Sequence, residues 1–302
     1  MVQTEVTAQQ KDPIPPAEAE EKVISPIQEI WKSFKKNKLA MTGSIIIAFF
    51  ILMAVFAGVI APDGFNNQQL ADRLQAPSAE HWLGTDDFGR DIFDRIVYGA
   101  RISLWVGFFS VLGSIVSGSL LGIIAGFYGG FVDTLISRIF DIILAFPSIL
   151  LAIGIVSVLG PSLQNALIAI ATINIPRFGR LIRSRVLSLK QEEFVMAARS
   201  IGMKDSRILF HHILPNSFAP IIVQATLGIG TAILDAAALG FLGLGAQPPH
   251  PEWGAMLADA SKYIEQAPWT VIFPGLSIML TVLGFNLIGD GLRDALDPRM
   301  KN

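Results

Sequence analysis

Along this chain the apolar residues are gathered in long runs, and most of the charges fall between the runs. A helix of about 20 apolar residues is long enough to cross a hydrocarbon layer of roughly 30 Å. Six such spans are predicted, over residues 40–60, 103–127, 136–159, 163–175, 220–244 and 269–288. The fourth is short for a crossing and is expected to continue past Pro176 towards Arg180, since neighbouring helices can satisfy the backbone groups that a proline frees. Ahead of the first span, the stretch from Ile27 to Lys38 reads as a basic amphipathic helix lying on a membrane surface. The pattern therefore predicts an all-α membrane protein with six transmembrane helices.

Composition supports this reading. Of the 302 residues 52% are hydrophobic and only 16% charged, whereas a soluble domain carries about a quarter charged residues. Charge placement then sets the orientation, because cytoplasmic loops collect Lys and Arg. With the N-terminus inside, 18 of the 23 basic residues fall in inside segments, and five (Arg73, Arg90, Arg95, Arg101 and Lys262) fall outside. Both termini are expected to be cytoplasmic, with the longest outer segment between the first two spans. A net charge of −2 points to no nucleic-acid partner. The absence of cysteine excludes disulfides and thiolate chemistry. The polar start, Met1 to Asp12, predicts no cleaved signal peptide.

Helices packed in lipid approach one another through small residues. The second span offers Gly107, Gly113, Ser114, Gly118 and Gly122, and the fifth offers Gly228, Gly230, Ala232, Ala236, Ala237 and Ala238, so both read as members of a bundle. Catalytic motifs are missing. No lysine follows a glycine, which rules out a Walker A ending, and no histidine precedes a glutamate, which rules out a helical zinc-protease motif. His211 and His212 are adjacent, so on a helix they point to different faces and read as structural.

The inside loop between the fourth and fifth spans is too long for a hairpin and is patterned. Residues 191–200 are helix-prone, Gly202 can end that helix, and Asp205 or Ser206 can cap a second helix ending before Pro215. Ala197 and Ala198 make one surface of the first helix small, which allows close docking of a partner. The residues alone equally allow an ordinary surface loop.

Phe194-Val-Met-Ala-Ala-Arg-Ser-Ile-Gly202, followed by Pro215, resembles the EAA loop of permeases in binding-protein-dependent ABC importers. Ala197, Ala198, Gly202 and Pro215 match its pattern, and Met196 stands where that family often has glutamate. Three further segments resemble the second, C-type permease subunit of peptide and nickel importers. They are Leu83-Gly-Thr-Asp-Asp-Phe-Gly-Arg-Asp91, the stretch from Ala238 to Gly254, and the stretch from Phe285 to Pro298. The wording is nearest to the dipeptide permeases, with oligopeptide and nickel relatives next.

The resemblance implies a type I ABC importer permease fold in the bacterial inner membrane. It implies a chain without catalysis or cofactor of its own, since ATP and Mg belong to partner ATPases. Implied partners are a homologous B-type permease subunit, two ABC ATPase subunits and a periplasmic peptide-binding protein, with lipid around the spans. The cargo expected is dipeptides, with oligopeptides, nickel complexes or haem as alternatives; from another class, an ATP-independent secondary transporter would show more intramembrane charge or inverted repeats. The expected divisions are a tail with its amphipathic helix (1–39), the first span and outer segment (40–100), a transmembrane domain (101–290) with a coupling loop at about 190–215, and a C-terminal tail (291–302).

Charges in or near spans complete the candidates, because one at the bilayer centre costs roughly 2.5–3.5 kcal/mol on insertion scales. Asp235 reads either as a pore or subunit contact or as a buried group bonded to a neighbouring helix. Asn286 and Asp290 read either as a cytoplasmic gate contact or, more simply, as solvated groups at a helix end, and Asp141 reads as a local ion pair with Arg138. Outside, Asp86, Asp87, Arg90 and Asp91, framed by Gly84 and Gly89, read as a structural turn, and Trp253 and Trp269 as an interfacial aromatic belt.

Overall fold

The computed structural model describes residues 26–296. Lys11, Lys22, Arg299 and Lys301, four of the basic residues expected inside, and Pro298 lie outside the described residues. The described residues form helices and turns, with one isolated bridge between Thr85 and Asp91.

The basic helix ahead of the first span is α1 (Pro26–Lys36), and a break at Asn37 separates it from α2 (Lys38–Val55). Asn37 makes that break orderly: its side-chain oxygen accepts from the backbone N–H groups of Leu39 and Ala40 at 3.0 and 3.1 Å, a standard helix N-cap. α1 does not spend its apolar face on lipid alone. Phe34 is buried against Ala40 and Ala295, while Trp31 stays exposed with the Lys35 ammonium 4.9 Å above its ring. A short α3 (Ala57–Ile60) continues α2 after an interruption at Phe56.

α4 (Ile92–Tyr128) is the axis of the molecule. At 1.5 Å per residue its 37 residues run about 55 Å, well beyond the hydrocarbon thickness. It starts eleven residues before the expected second span, because Asp91 caps it by accepting from Phe93 N at 2.7 Å. The third span is broken instead of continuous: α5 (Gly130–Ala145) and α6 (Ser148–Leu159) meet at 95° across Phe146 and Pro147. Proline disfavours helix in the residue before it, which accounts for the position of the break.

α7 (Leu163–Leu189) passes through Pro176 as expected and then continues far beyond Arg180. It packs most extensively on α4. Gly118 and Gly122 face its backbone so closely that a Cβ at either would overlap Ile175, Phe178 or Gly179. The loop between α7 and α10 holds α8 (Glu193–Ser200) and α9 (Asp205–Ile208), then a wider-wound turn over Leu209–Ile213. α10 (Phe218–Phe241) returns along α4 and α12 (Trp269–Leu296) packs on α10 and α2, with α11 (Trp253–Ala260) wedged between them at one end.

By length and apolar content α2, α4, α10 with its preceding turn, and α12 can each cross a membrane, and the bent α5–α6 pair makes a fifth. α7, with Gln164, Asn165, Asn174, Arg177 and Arg180 in its first two turns and middle, does not meet that measure.

Candidate functional site

α8 is an eight-residue helix fastened from one side. Val195 and Ala198 are buried in a cluster with Phe127 of α4, Ile182 and Val186 of α7, Ile208 of α9 and Ile213 of the turn after it. Phe194, Met196 and Ala197 face outward, as do Ile201 and Phe210 further on. The two alanines therefore part company. Ala197 belongs to the free surface, whereas Ala198, 5% exposed, anchors the helix to the bundle. This corrects the expectation that both present a docking surface, and the reason is the 100° step between neighbours on a helix.

Gly202 ends α8 in the left-handed region, at φ +78°. Its N–H donates to Arg199 O at 2.9 Å, and Met203 N donates to Ala198 O at 3.0 Å, the two bonds of a Schellman C-cap. The second helix of the loop differs from expectation. Neither Asp205 nor Ser206 caps it; the N-cap is Lys204, without a side-chain bond, and Asp205 is the first helical residue. Pro215, exposed, opens the single turn that leads into α10.

Lys190, at the α7–α8 elbow, ties this unit to the end of α4. Its ammonium donates to the carbonyls of Phe127 and Gly126 at 2.7 and 3.4 Å, and Arg199 lies 5.4 Å from the Phe127 ring. Cations at these carbonyls complement the C-terminal end of the helix dipole. Further up α7, Arg183 makes a bidentate ion pair with Asp133 of α5. Arg180 pairs with Asp141 at 2.6 Å, so Asp141 does more than form the expected local pair with Arg138, which is longer at 3.6 Å.

Asp235 is half-buried inside α10 and meets Asn174 and Arg177 of α7. Asn286 and Asp290 are both exposed on α12, and Asn286 lies against Gly230, on another side of α10. The structure does not bring these two residues to Asp235. Asn174 and Arg177 are not singled out in the sequence, although the helix is expected to run past Pro176 towards Arg180, because their partner on α10 is set by packing; the available signal is their spacing of three on that continuing helix.

Residues 118–302, well over half of the chain, match the family described as binding-protein-dependent transport system inner membrane component. The chain belongs to this family. Residues 25–77 also match the N-terminal TM domain of oligopeptide transport permease C. The dipeptide transport system permease protein DppC of Alkalihalophilus pseudofirmus is 68% identical over 288 residues, 95% of each chain. The di/tripeptide transport system permease protein DppC of Pseudomonas aeruginosa is 50% identical, with 92% of this chain and 94% of that one covered. The glutathione transport system permease protein GsiD of Escherichia coli is also 50% identical, over 93% of each. Among solved structures, the inward-facing MetNI methionine ABC transporter has the same fold, with a TM-score of 0.55 at 18% identity, covering 68% of this chain and 98% of that one. The relatives are transport permease subunits, a non-catalytic kind of protein, and the chain is a multi-pass ABC permease of the peptide-importer C type.

In this transport component the motif at Leu83–Asp91 is a folded cap. Asp86 accepts from Phe88 N and Arg90 N at 2.9 and 3.0 Å and pairs with the Arg90 guanidinium at 2.7 Å. His81 meets the capping Asp91 at 2.9 Å, and Gly84 and Gly89 both take positive φ. The expected structural turn is what forms. Burial and the neighbouring Asp86 hold the Asp87 carboxyl above the usual carboxylate range, with Arg90 acting against them.

The second motif is deeper than expected. Trp253 is fully buried; its indole N–H donates to Ile96 O at 3.2 Å and its ring meets Phe50 edge-on at 5.5 Å. It is a core residue and not part of an interfacial belt. Trp269 is half-buried and donates to Thr85 O at 3.3 Å. Glu252, 2% exposed, caps α11 by accepting from Gly254 N and Ala255 N, each at 2.9 Å.

Proposed function

We propose that this chain forms half of the translocation path of an ATP-driven importer of short peptides, with dipeptides as cargo, and couples that path to ATPase subunits through α8. The observation that carries this reading is the 68% identity, over 95% of both chains, to a dipeptide permease. α8 supports the coupling role: its exposed face carries Phe194, Met196 and Ala197 between the charges of Glu193 and Arg199, while its inner face is locked to α4 and α7. A rigid-body push on Phe194, Met196 and Ala197 would pass through Ala198, Gly202's cap and the Lys190 tie into two long helices.

In this reading α2, α4, the α5–α6 pair, α7, α10 and α12 are six spans of the bacterial inner membrane, with both termini cytoplasmic. Residues 1–39 and 291–302 are the tails, 40–100 the first span with its outer segment, and 101–290 the transmembrane domain with the coupling loop at 190–215. The partners are a homologous B-type permease, two ATPases that bind ATP and Mg, and a periplasmic peptide-binding protein. Met196, in place of an acidic residue, makes this contact apolar, and Pro215 directs the chain back into α10. ATP binding would bias a two-state bundle between inward and outward openings.

The test uses the complete importer, purified through a tag on this chain. Ala197→Trp adds bulk to the free surface without touching the core. Recovery of the ATPase subunits is expected to fall about tenfold, the size of a lost interface anchor. Full recovery would remove α8 as the docking element. In vesicles, dipeptide uptake is expected only with the binding protein, both ATPases and ATP. Uptake by the two permease subunits alone would instead establish a secondary transporter.

A further inference from the structure

Three arginines descend α7 at helical spacing, Arg177, Arg180 and Arg183, and the lower two meet acidic residues of α5. The lower two are closed pairs, Arg180 with Asp141 at 2.6 Å and Arg183 with Asp133. The uppermost is open. Asp235 of α10 faces Arg177, yet no carboxylate among the described residues comes within 4.0 Å of the Arg177 guanidinium. Asp235 accepts a hydrogen bond from the Asn174 side chain but is only half-buried, and Arg177 is exposed, so both charges retain free surface.

The surroundings make this opening informative. The two helices are packed together by Ile173 and Phe178 on one and Ala232 and Ala236 on the other, so nothing in the packing leaves them apart. α10 is long and apolar enough to cross a membrane, and its Gln224, Thr231 and Asp235 stand at i, i+7 and i+11, which puts them on one stripe. All three are half-buried. A polar stripe opposite an unpaired arginine at membrane depth requires water or a polar guest, because either charge facing lipid is costly. A pair serving structure alone would close, as its two neighbours do.

We propose that Asp235 and Arg177 form a two-charge station on the path, where Asp235 receives cationic groups of the cargo and Arg177 receives anionic ones. The ligand class is a zwitterion with its ammonium and carboxylate separated, as in a short peptide. The proposal rests on the peptide-importer reading above and adds to it the residues that meet the cargo inside the membrane. Charges held apart also prevent retention: each end of the guest makes a single solvated contact, weak enough to release.

The experiment is ATP-driven uptake by the complete importer in vesicles, at saturating binding protein, of three dipeptides matched in size. One carries an extra cationic side chain, one an extra anionic side chain and one neither. Asp235→Asn is expected to lower the ratio of cationic to anionic uptake about fivefold, the scale of one solvated charge contact, and Arg177→Gln to raise it similarly. Arg177→Lys keeps the charge and is expected to hold the ratio within about twofold. A merely structural pair predicts that all three cargoes fall by the same factor in both variants, and that result, or unchanged ratios, overturns the station. If Asp235→Asn fails to assemble, the Arg177→Gln and Arg177→Lys comparison decides alone. Wild-type vesicles that take up none of the three peptides overturn the peptide reading, and the station with it; wild-type uptake with unshifted ratios in the variants overturns the station only.

Discussion

Glu252 couples pH to the packing of α11 against α10 and α4. Burial drives its carboxyl above the ordinary 4.5, while the N–H groups of Gly254 and Ala255 act in the opposite direction. Because the folded pKa lies above the unfolded one, folding favours the protonated form. That contribution is complete below pH 4.5 and is lost as pH rises through the folded pKa. Glu252→Gln removes this titration. The melting temperature of the variant, followed in detergent from pH 4.5 to 8, is expected to gain on wild type as pH rises; a pH-independent difference would release Glu252 from this role. Neighbouring Gly254 meets the α10 backbone at Ala237, where a Cβ would overlap it. Gly254→Ala is therefore expected to cost about 1–3 kcal/mol, read as a lower melting temperature. At this scale legibility depended on whether a residue's role is local. Gly202 could be read because ending a helix is a local act. Trp253 could not, because its burial depends on Gly99, Phe50 and Ile96 arriving from elsewhere in the chain.

Helices were legible wherever an apolar run and a boundary signal coincided. The expected fifth span, residues 220–244, and α10 (Phe218–Phe241) differ by two or three residues. Runs bounded by amphipathic or charged helix were cut short. α4 begins at Ile92 because the Asp91 cap and a buried Arg95 lie ahead of its apolar part, and α12 runs to Leu296 for the mirror reason. The break between α1 and α2 shows how one side chain sets an element's geometry. Asn37 caps α2, and its amide donates to Asp294 near the end of α12 at 3.2 Å, tying the start of the first long helix to the end of the last. Asn37→Ala is expected to cost about 1 kcal/mol, the usual loss for an N-cap. Limited proteolysis should then cut at the α1–α2 junction faster than in wild type, and an unchanged cutting rate would mean that packing of Phe34 alone holds α1.

For the whole molecule, the 95° bend between α5 and α6 decides how many times the chain crosses. If the pair crosses as one broken span, α6 delivers Gln164 to the outer side, and α7 carries the chain back so that Asp205 lies inside. If the pair turns back to the side it entered, α7 crosses in the opposite sense. Arg199, Lys204 and Arg207 would then lie outside, against the tendency of basic loops to stay cytoplasmic. The closed pairs of α7 with Asp133 and Asp141 favour the first arrangement, since they keep α5 against the basic end of α7. The chain has no cysteine, so single cysteines report their side of the membrane without background. Gln164 and Asp205 are both exposed. In intact spheroplasts a membrane-impermeant maleimide is expected to label Gln164→Cys and Lys262→Cys, and to reach Asp205→Cys only after permeabilisation. Labelling of Asp205→Cys in intact cells would make the bent pair re-entrant and put α8 on the wrong side of the membrane for an ATPase.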